Sequence, residues 1–186
     1  MPEPRVLILH GFQHHRAKEH WLWWLAEELR QRRIPVQYPQ LPSPDRPSLD
    51  EWIAVARAEL EMLGGEEHDR VVITHSLGGV LWSHLVHRGY TSGERVLMVA
   101  PPSRDRLDGV IAPFAGALGP DYLETTGVTL VARERDRYRN TPLNWIDGGR
   151  AKDVHVIPGE GHINPDDGHG PFPEALEWVL TGEWPS

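Results

Sequence analysis

The segment over residues 74–79 has the composition of a turn that presents a nucleophile. It reads Thr-His-Ser-Leu-Gly-Gly and lies between a short apolar run and a helical pattern. A sharp turn from a strand into a helix holds a serine hydroxyl above the sheet, and small neighbours allow backbone and substrate to approach it. Thr74 stands where the pattern Gly-x-Ser-x-Gly has its first glycine. Ser76 is therefore a candidate nucleophile, and an ordinary turn with packing glycines is the alternative.

Two later segments offer the partners that a serine nucleophile requires. A hydroxyl is a weak nucleophile, so it needs a base, and the base needs a carboxylate that orients it. The sequence Arg-Glu-Arg-Asp-Arg covers 133–137, and Gly-Glu-Gly-His-Ile-Asn covers 159–164; each follows an apolar run. Asp136 is the candidate acid and His162 the candidate base. With Ser76 they follow the chain order serine, acid, histidine that one class of acyl-transfer sites uses.

Both partners have alternatives in the sequence. The charges around Asp136 alternate in sign, so a solvated charge run is the other interpretation of that segment. His162 belongs to a chain with 11 histidines, so a loop histidine without a special role is its alternative. Rivals that remain open are Glu134 and Asp147 for the acid, and His155 and His169 for the base. The two rival histidines fit less well, because one lies inside a predicted strand and the other lies further from its end.

The segment His10-Gly11-Phe12-Gln13 follows the first apolar run. Acyl transfer needs backbone N–H donors for the developing oxyanion, one from the residue after the nucleophile and one from a neighbouring loop. We expect the amides of Leu77 and Phe12 to supply them, with Gln13 as the neighbouring candidate. We also expect His10, Gly11 and Gln13 to contact the substrate. A simple turn is the alternative for this segment.

The elements that position these loops alternate between short apolar runs and amphipathic patterns, which predicts a parallel sheet with crossover helices. The predicted strands cover 5–9, 34–38, 70–74, 95–100, 128–132 and 153–157, and the predicted helices cover 20–33, 48–63, 77–88 and 173–180. Pro35 suits an edge strand. We therefore expect an α/β fold, a three-layer α/β/α doubly wound sheet with strand order 2-1-3-4-5-6. Ligands of this fold bind beyond the carboxyl ends of strands 1 and 3.

The segment over 101–127 is the least regular part of the chain and is predicted to form a pocket wall. Phe12, Phe114 and Tyr122 are the predicted wall residues, since they lie on loops at the carboxyl side of the sheet. The stretch between strands 4 and 5 is too short for a large lid, so we expect an open site. Most tryptophans, among them Trp21, Trp24, Trp52 and Trp178, are predicted to pack in the core, whereas Trp82 and Trp145 are predicted to lie nearer the site.

Composition excludes several classes of function. The 186 residues predict a single domain over 1–186. The chain has no cysteine, which removes thiol nucleophiles and cysteine metal sites. With 19 basic and 27 acidic residues the net charge is −8, so nucleic acid is not an expected partner. The histidines form no His-Glu-x-x-His motif, and we expect neither metal nor cofactor. No apolar stretch approaches the ~20 residues of a membrane helix, and we expect a cytoplasmic protein.

The order of these motifs along nearly the whole chain resembles the small serine hydrolases of the retinoblastoma-binding-protein-nine type. The motifs that carry the resemblance are His10-Gly11-Phe12-Gln13, His20-Trp21, Thr74-His75-Ser76-Leu77-Gly78, Ala100-Pro101-Pro102, Asp136, Gly161-His162-Ile163-Asn164 and Gly170-Pro171-Phe172-Pro173. The resemblance implies a minimal, lidless α/β-hydrolase fold. It also implies a catalytic triad, which falls on Ser76, Asp136 and His162.

Two functions are weighed on this basis. The first is hydrolysis of small carboxylic esters, or of related amides, through an acyl-enzyme intermediate on Ser76. The second is a binding module for protein or ligand that keeps the fold without useful catalysis, and Thr74 and the charged surroundings of Asp136 motivate it. A histidine out of reach of the serine or of the acid would favour the second. The sequence does not indicate the acyl group, the leaving group or the oligomeric state.

Overall fold

Parallel strands alternate with helices through the residues that the computed structural model describes, which are 2–116, 128–139 and 151–186. The strands are β1 (Pro4–Leu9), β2 (Val36–Gln37), β3 (Asp69–His75), β4 (Arg95–Val99), β5 (Val128–Arg135) and β6 (Ala151–Glu160). The α-helices are α1 (Trp21–Gln31), α2 (Leu49–Met62), α3 (Leu77–His87) and α4 (Pro173–Thr181). Short 3₁₀ helices cover Arg104–Arg106, Gly109–Ala115 and Pro165–Asp167. None of the described helices is long and apolar enough to cross a membrane.

The six strands form one sheet in the order β2-β1-β3-β4-β5-β6, and every neighbouring pair is parallel. This confirms the predicted fold class and strand order. Leu9 pairs with Thr74, so β1 and β3 end side by side at the centre of the sheet. The loop after β1 and the turn after β3 therefore begin next to each other, at the point where the strand order reverses.

Alternation along the strands divides the core between the two faces of the sheet. In β1, Leu7 and Leu9 pack with α2 and α3, whereas Val6 and Ile8 pack with α1 and α4. Successive side chains of a strand point to opposite faces, so a continuous apolar run is buried on both sides. The first face buries Trp52 and the second buries Trp21 and Trp178, while the fourth predicted core tryptophan, Trp24, is partly buried. The prediction that Trp82 lies nearer the site is wrong, because its ring is buried in the core of the first face and is not part of the cavity lining.

The strand lengths differ from the predicted ones at both edges. The predicted strand over 34–38 is reduced to two residues, because Pro35 cannot donate to the ladder and offers only its carbonyl to Val6 N. At the other edge β5 and β6 continue beyond the predicted ends, and Arg135 pairs with Glu160. This extension brings the segments with the candidate acid and base to adjacent strand ends.

Candidate active site

Ser76 occupies a strained turn between β3 and α3. Its φ of 53° and ψ of −125° lie in a region that non-glycine residues rarely adopt. Ser76 is the N-cap of α3, yet its side chain makes no capping hydrogen bond, so the hydroxyl remains available for another partner. The two neighbouring glycines are required by contact: a Cβ on Gly78 would lie 2.3 Å from the carbonyl oxygen of Leu9, and one on Gly11 would lie 2.8 Å from Ser76 Cβ.

The structure brings the three predicted triad residues together. His162 Nε2 lies 2.7 Å from Ser76 Oγ, and His162 Nδ1 lies 2.7 Å from Asp136 Oδ2. The carboxylate accepts a hydrogen bond from Nδ1–H, and in this tautomer Nε2 is unprotonated and able to accept the serine proton. Both the imidazole and the carboxylate are buried. This arrangement has the geometry of a base that is activated for proton transfer from a hydroxyl.

Asp136 follows directly after β5, as the segment 133–137 predicted. Its second oxygen, Oδ1, accepts a hydrogen bond of 2.9 Å from Tyr138 N, so both carboxylate oxygens have donors. The rival acid Glu134 is exposed and accepts from Gly159 N at 2.8 Å, away from His162. Asp147, the other rival, lies outside the described residues.

The rival histidines have other surroundings. His155 lies within β6 and stacks on Trp184, with ring centroids 5.3 Å apart. His169 packs edge-on against Phe172, at 4.7 Å. Within the described residues neither ring forms a hydrogen bond with Ser76 or with a carboxylate, so His162 is the histidine whose position suits a base.

The three backbone N–H groups that the sequence offered for an oxyanion differ in whether they already have a hydrogen-bond acceptor. Among the described residues, the N–H groups of Phe12 and Leu77 have no hydrogen-bond acceptor, and both residues line the cavity beside Ser76. Leu77 also opens α3, where the helix dipole favours negative charge. The neighbouring candidate Gln13 is different, because its N–H donates to Pro44 O at 2.9 Å. The amide of Gln13 is therefore engaged elsewhere.

A cavity of about 800 Å³ opens at Ser76. Gly11, Phe12 and Gln13 line it, in agreement with their predicted positions. The 3₁₀ segments after β4 contribute to its wall through residues such as Val110 and Ile111, within the segment predicted to form a pocket wall. Tyr122 and Trp145, also predicted near the pocket, lie outside the described residues.

Two predicted substrate-binding residues lie elsewhere. His10 is fully buried and is not part of the cavity lining. Its Nδ1 donates to Gly11 O at 2.9 Å and its Nε2 accepts from Leu41 N at 2.8 Å, so both ring nitrogens are bound to backbone. Phe114 is also fully buried, edge-on to Trp52 at 5.4 Å. Both side chains are thus core residues, a position that differs from the predicted substrate contact.

Four buried histidines form a continuous row of rings next to His162. We name these four, His10, His14, His20 and His75, the histidine cluster. Neighbouring rings have centroids 4.9, 4.6 and 4.9 Å apart, and the last ring is 5.1 Å from that of His162. Burial lowers the pKa of the first three to about 4, 2 and 3, and it lowers the pKa of the fourth well below its ordinary value. The histidine cluster is therefore uncharged at neutral pH.

Sequence reasoning missed several residues around His162. The ring of Tyr138 packs on His162 with centroids 4.5 Å apart, and Tyr138 lines the cavity. Asp167 Oδ2 accepts from His162 N at 2.7 Å, and Asp167 Oδ1 accepts from Arg137 at 2.8 Å. Burial opposes ionisation of Asp167, but these two donors outweigh it and lower the pKa of the carboxyl. The only signal in the sequence was the density of charge near the two strand ends.

Metal ligation has no support in the described part of the chain, where no group of three or more histidine and acidic side chains is arranged to hold a metal ion. Thr74 is fully buried, and its Oγ1 has no hydrogen-bond partner among these residues. The threonine at the first glycine position of the pattern Gly-x-Ser-x-Gly is thus accommodated within the sheet. Its hydroxyl takes no part in the contacts of Ser76.

Comparison with known proteins places this geometry in context. The ydeN gene product of Bacillus subtilis shares 19% identity, with 96% of this chain and 97% of that chain covered, at a TM-score of 0.73. A YdeN-like hydrolase from Pectobacterium atrosepticum shares 21% identity over 96% and 90% of the two chains, at 0.66. A monoacylglycerol lipase from Paleococcus ferrophilus shares 16% over 98% and 96%, at 0.60.

These similarities show a shared α/β-hydrolase fold. No curated protein matches the sequence. The sequence does match the serine hydrolase family over residues 6–181, which is nearly its whole length. The chain therefore belongs to the serine hydrolase family.

Proposed function

We propose that this serine hydrolase cleaves small carboxylic esters through an acyl-enzyme intermediate, with Ser76, His162 and Asp136 as its catalytic triad. The observation that carries the proposal is the unbroken line of contacts from Ser76 Oγ through the imidazole to Asp136 Oδ2, with 2.7 Å at each step. Within the family, we further propose the retinoblastoma-binding-protein-nine type, on the motifs that include His10-Gly11-Phe12-Gln13 and Gly161-His162-Ile163-Asn164.

The proposed reaction proceeds in two acyl transfers. Ser76 Oγ attacks the ester carbonyl carbon while His162 Nε2 takes the hydroxyl proton, and the amides of Phe12 and Leu77 stabilise the oxyanion. The tetrahedral intermediate collapses when His162 returns the proton to the alkoxide, and the alcohol leaves. Water then attacks the acyl-serine with His162 again as base, which releases the carboxylic acid. Asp136 stabilises the imidazolium in both halves of the reaction.

The described walls of the cavity support a small, uncharged substrate. His14, His20 and His75 contribute to its lining and are neutral at pH 7, and Phe12 and Leu77 add apolar surface. A cavity volume of about 800 Å³ falls within the range of small-molecule sites. Apolar groups favour an uncharged acyl chain over a charged one. The cavity is also lined by Glu19, Arg106, Asp108, Arg137 and Asp166, so the proposal of an uncharged substrate rests on the neutral histidines and on the apolar side chains of Phe12 and Leu77. Small amides share this requirement and form the second substrate class to be compared.

A histidine out of reach of Ser76 or of Asp136 would have favoured the alternative function, a binding module without useful catalysis. His162 instead lies 2.7 Å from Ser76 Oγ and 2.7 Å from Asp136 Oδ2. The deciding experiment treats the wild-type protein and a folded Ser76→Ala variant with a fluorophosphonate probe, and then with p-nitrophenyl esters of increasing acyl length and the matching anilides. We expect labelling at Ser76 and turnover that favours short esters, both lost in the variant. A wild-type protein that is not labelled would overturn the proposal.

A further inference from the structure

The peptide groups of His162 are held on both sides by side chains. Its N–H donates to Asp167 Oδ2 at 2.7 Å, and its carbonyl oxygen accepts from His75 Nε2 at 2.9 Å. His162 lies in the loop between β6 and α4, where no ladder or helix satisfies these backbone groups. The position of the imidazole therefore depends on side-chain contacts to its own backbone.

Asp167 is itself firmly placed. Its Oδ1 accepts from Arg137 Nη1 at 2.8 Å, and its backbone N–H donates to Asn164 Oδ1 at 3.0 Å. Its side chain is mostly buried, and its Cβ lies close enough to Gly161 that a Cβ on that glycine would be only 2.9 Å away. Such contacts on the carboxylate, the backbone and the Cβ leave the side chain little freedom.

The ion pair between Arg137 and Asp167 connects the loop of the proposed acid with the loop of the proposed base. Arg137 follows Asp136 directly, so the contact from Arg137 to Asp167 runs beside the contact from Asp136 to His162. The first holds the backbone of the histidine loop, and the second holds the imidazole. The loop of the acid thus contacts the loop of the base at two points, both between side chains, and Asp167 connects one of these contacts to the main chain of His162.

We propose that Asp167 is a positioning residue for His162, held in turn by Arg137. It acts through the His162 peptide N–H, and it is not among the residues that line the cavity at Ser76. Without it the N–H loses its acceptor and the loop can shift, and a shift of about 1 Å in a reacting group can lower a rate by about 10²-fold. This inference rests on the proposed function, because it concerns the base of that reaction.

The test measures p-nitrophenyl acetate hydrolysis by Asp167→Ala and Asp167→Asn, with Asp153→Asn as a matched control at an exposed acid. We expect Asp167→Ala to lower kcat by about 10- to 100-fold with KM changed less than about twofold. Asp167→Asn keeps an oxygen that can accept from His162 N and recovers part of the rate. A raised KM with kcat unchanged would contradict the inference.

A double-mutant cycle separates positioning from general structural damage. If Asp167 acts through His162, then Asp167→Ala causes no further loss of the residual rate when it is added to His162→Ala. An equal fold-loss in both backgrounds would overturn the inference. Should Asp167→Ala fail to fold, Arg137→Gln replaces it in the same cycle, with an expected threefold to tenfold loss of kcat, on the order of one lost ion-pair contact, and the same criterion.

The cycle also keeps this inference distinct from the proposed function. If His162→Ala hydrolyses the ester as fast as the wild-type protein, the proposed function itself fails. If His162→Ala is inactive while Asp167→Ala and Arg137→Gln retain full kcat, only the positioning role of Asp167 fails.

Discussion

His162 and the histidine cluster contain the same side chain in two opposite settings. The ring of His162 has a carboxylate at Nδ1 and a hydroxyl at Nε2. The four rings of the histidine cluster are equally buried but form no ion pair within the described part of the chain. His10, for example, is bound only by backbone and amide groups, and burial lowers its pKa to about 4.

This difference teaches that a buried imidazole can accept a proton only where an opposite charge compensates it. Desolvation keeps the rings of the histidine cluster neutral, whereas at His162 the carboxylate of Asp136 contacts Nδ1 and can stabilise an imidazolium formed during proton transfer. The rings of His75 and His162 are only 5.1 Å apart. We nevertheless expect His75 to remain a neutral structural residue and His162 to carry the proton during the reaction. Four predictions test how far this contrast extends.

The largest effect is expected from removing the base. His162→Ala should lower kcat for a p-nitrophenyl ester by on the order of 10⁵- to 10⁶-fold, as for loss of the base in other serine hydrolases. The matched control is His10→Gln, a buried histidine outside the cavity, which should destabilise the protein but leave kcat of the folded fraction within about threefold. A comparable loss in both variants would remove the contrast between the two settings.

The second effect concerns the compensating carboxylate. Asp136→Asn should lower kcat by about 10⁴-fold, because the amide cannot stabilise the imidazolium and can select the wrong tautomer. The exposed neighbour supplies a control, Glu134→Gln, whose side chain contacts Gly159 N instead of His162. Steady-state kinetics from pH 6 to 9 measure both variants. If Asp136→Asn kept more than a tenth of the wild-type kcat, Asp136 would not be the acid.

The third effect is on stability. A histidine whose pKa is lower in the folded protein than its unfolded value of about 6.5 binds more protons in the unfolded state. Its contribution to stability is therefore fully present above about pH 6.5 and is lost as the pH falls toward the folded pKa. For His10, with a folded pKa of about 4, the loss at pH 5 relative to pH 8 is roughly 2 kcal/mol. Urea denaturation at the two pH values measures it, and His10→Gln should reduce the pH dependence. An unchanged dependence would mean that His10 is charged in the folded protein.

The smallest effect comes from a hydrogen bond of the histidine cluster. His14 Nε2 lies 2.5 Å from the hydroxyl of Tyr38. Tyr38 is buried and, unlike His14, is not part of the cavity lining. Tyr38→Phe should lower the free energy of unfolding by about 1 to 2 kcal/mol, since it leaves a buried imidazole nitrogen unpaired, and kcat should not change. Tyr90→Phe, at a partly exposed tyrosine, should change stability by less than about 0.5 kcal/mol. A fall in kcat for Tyr38→Phe would indicate that the histidine cluster takes part in catalysis.

The fold and the triad positions could be predicted because their signals are local. Apolar runs on either side of helical patterns predict a parallel sheet, and functional residues of such sheets follow the strands directly. Ser76, Asp136 and His162 each stand directly after a predicted strand or within a few residues of its end, so the topology brings them together. The proline at position 35 identified the edge strand and with it the strand order.

The remaining contacts depend on tertiary structure. His10 precedes a glycine in the correct loop, yet its ring turns inward to Leu41, a contact between residues 31 positions apart. Asp167 contacts Arg137 across 30 positions, and nothing in either segment distinguishes this pair from solvated charges. Phe114 lies in a loop by sequence, but α2 supplies Trp52 as its packing partner. Such pairings follow from how the loops are folded over the sheet, which periodicity does not encode.

The close contact of Gly78 with Leu9 has a consequence for how the protein opens. The first turn of α3 lies against the last carbonyl of β1, and Gly11 lies against Ser76, so the loop after β1 and the turn that carries Ser76 are expected to stay in contact while β1 and β3 remain paired. The paired amides of β1 and β3 are therefore expected to exchange with deuterium most slowly, through global unfolding, whereas the amides of Phe12 and Leu77, which have no acceptor among the described residues, exchange faster. The proposed base follows the edge strand β6, so opening at that edge is expected to displace His162 and stop activity while the nucleophile turn and the loop after β1 stay together.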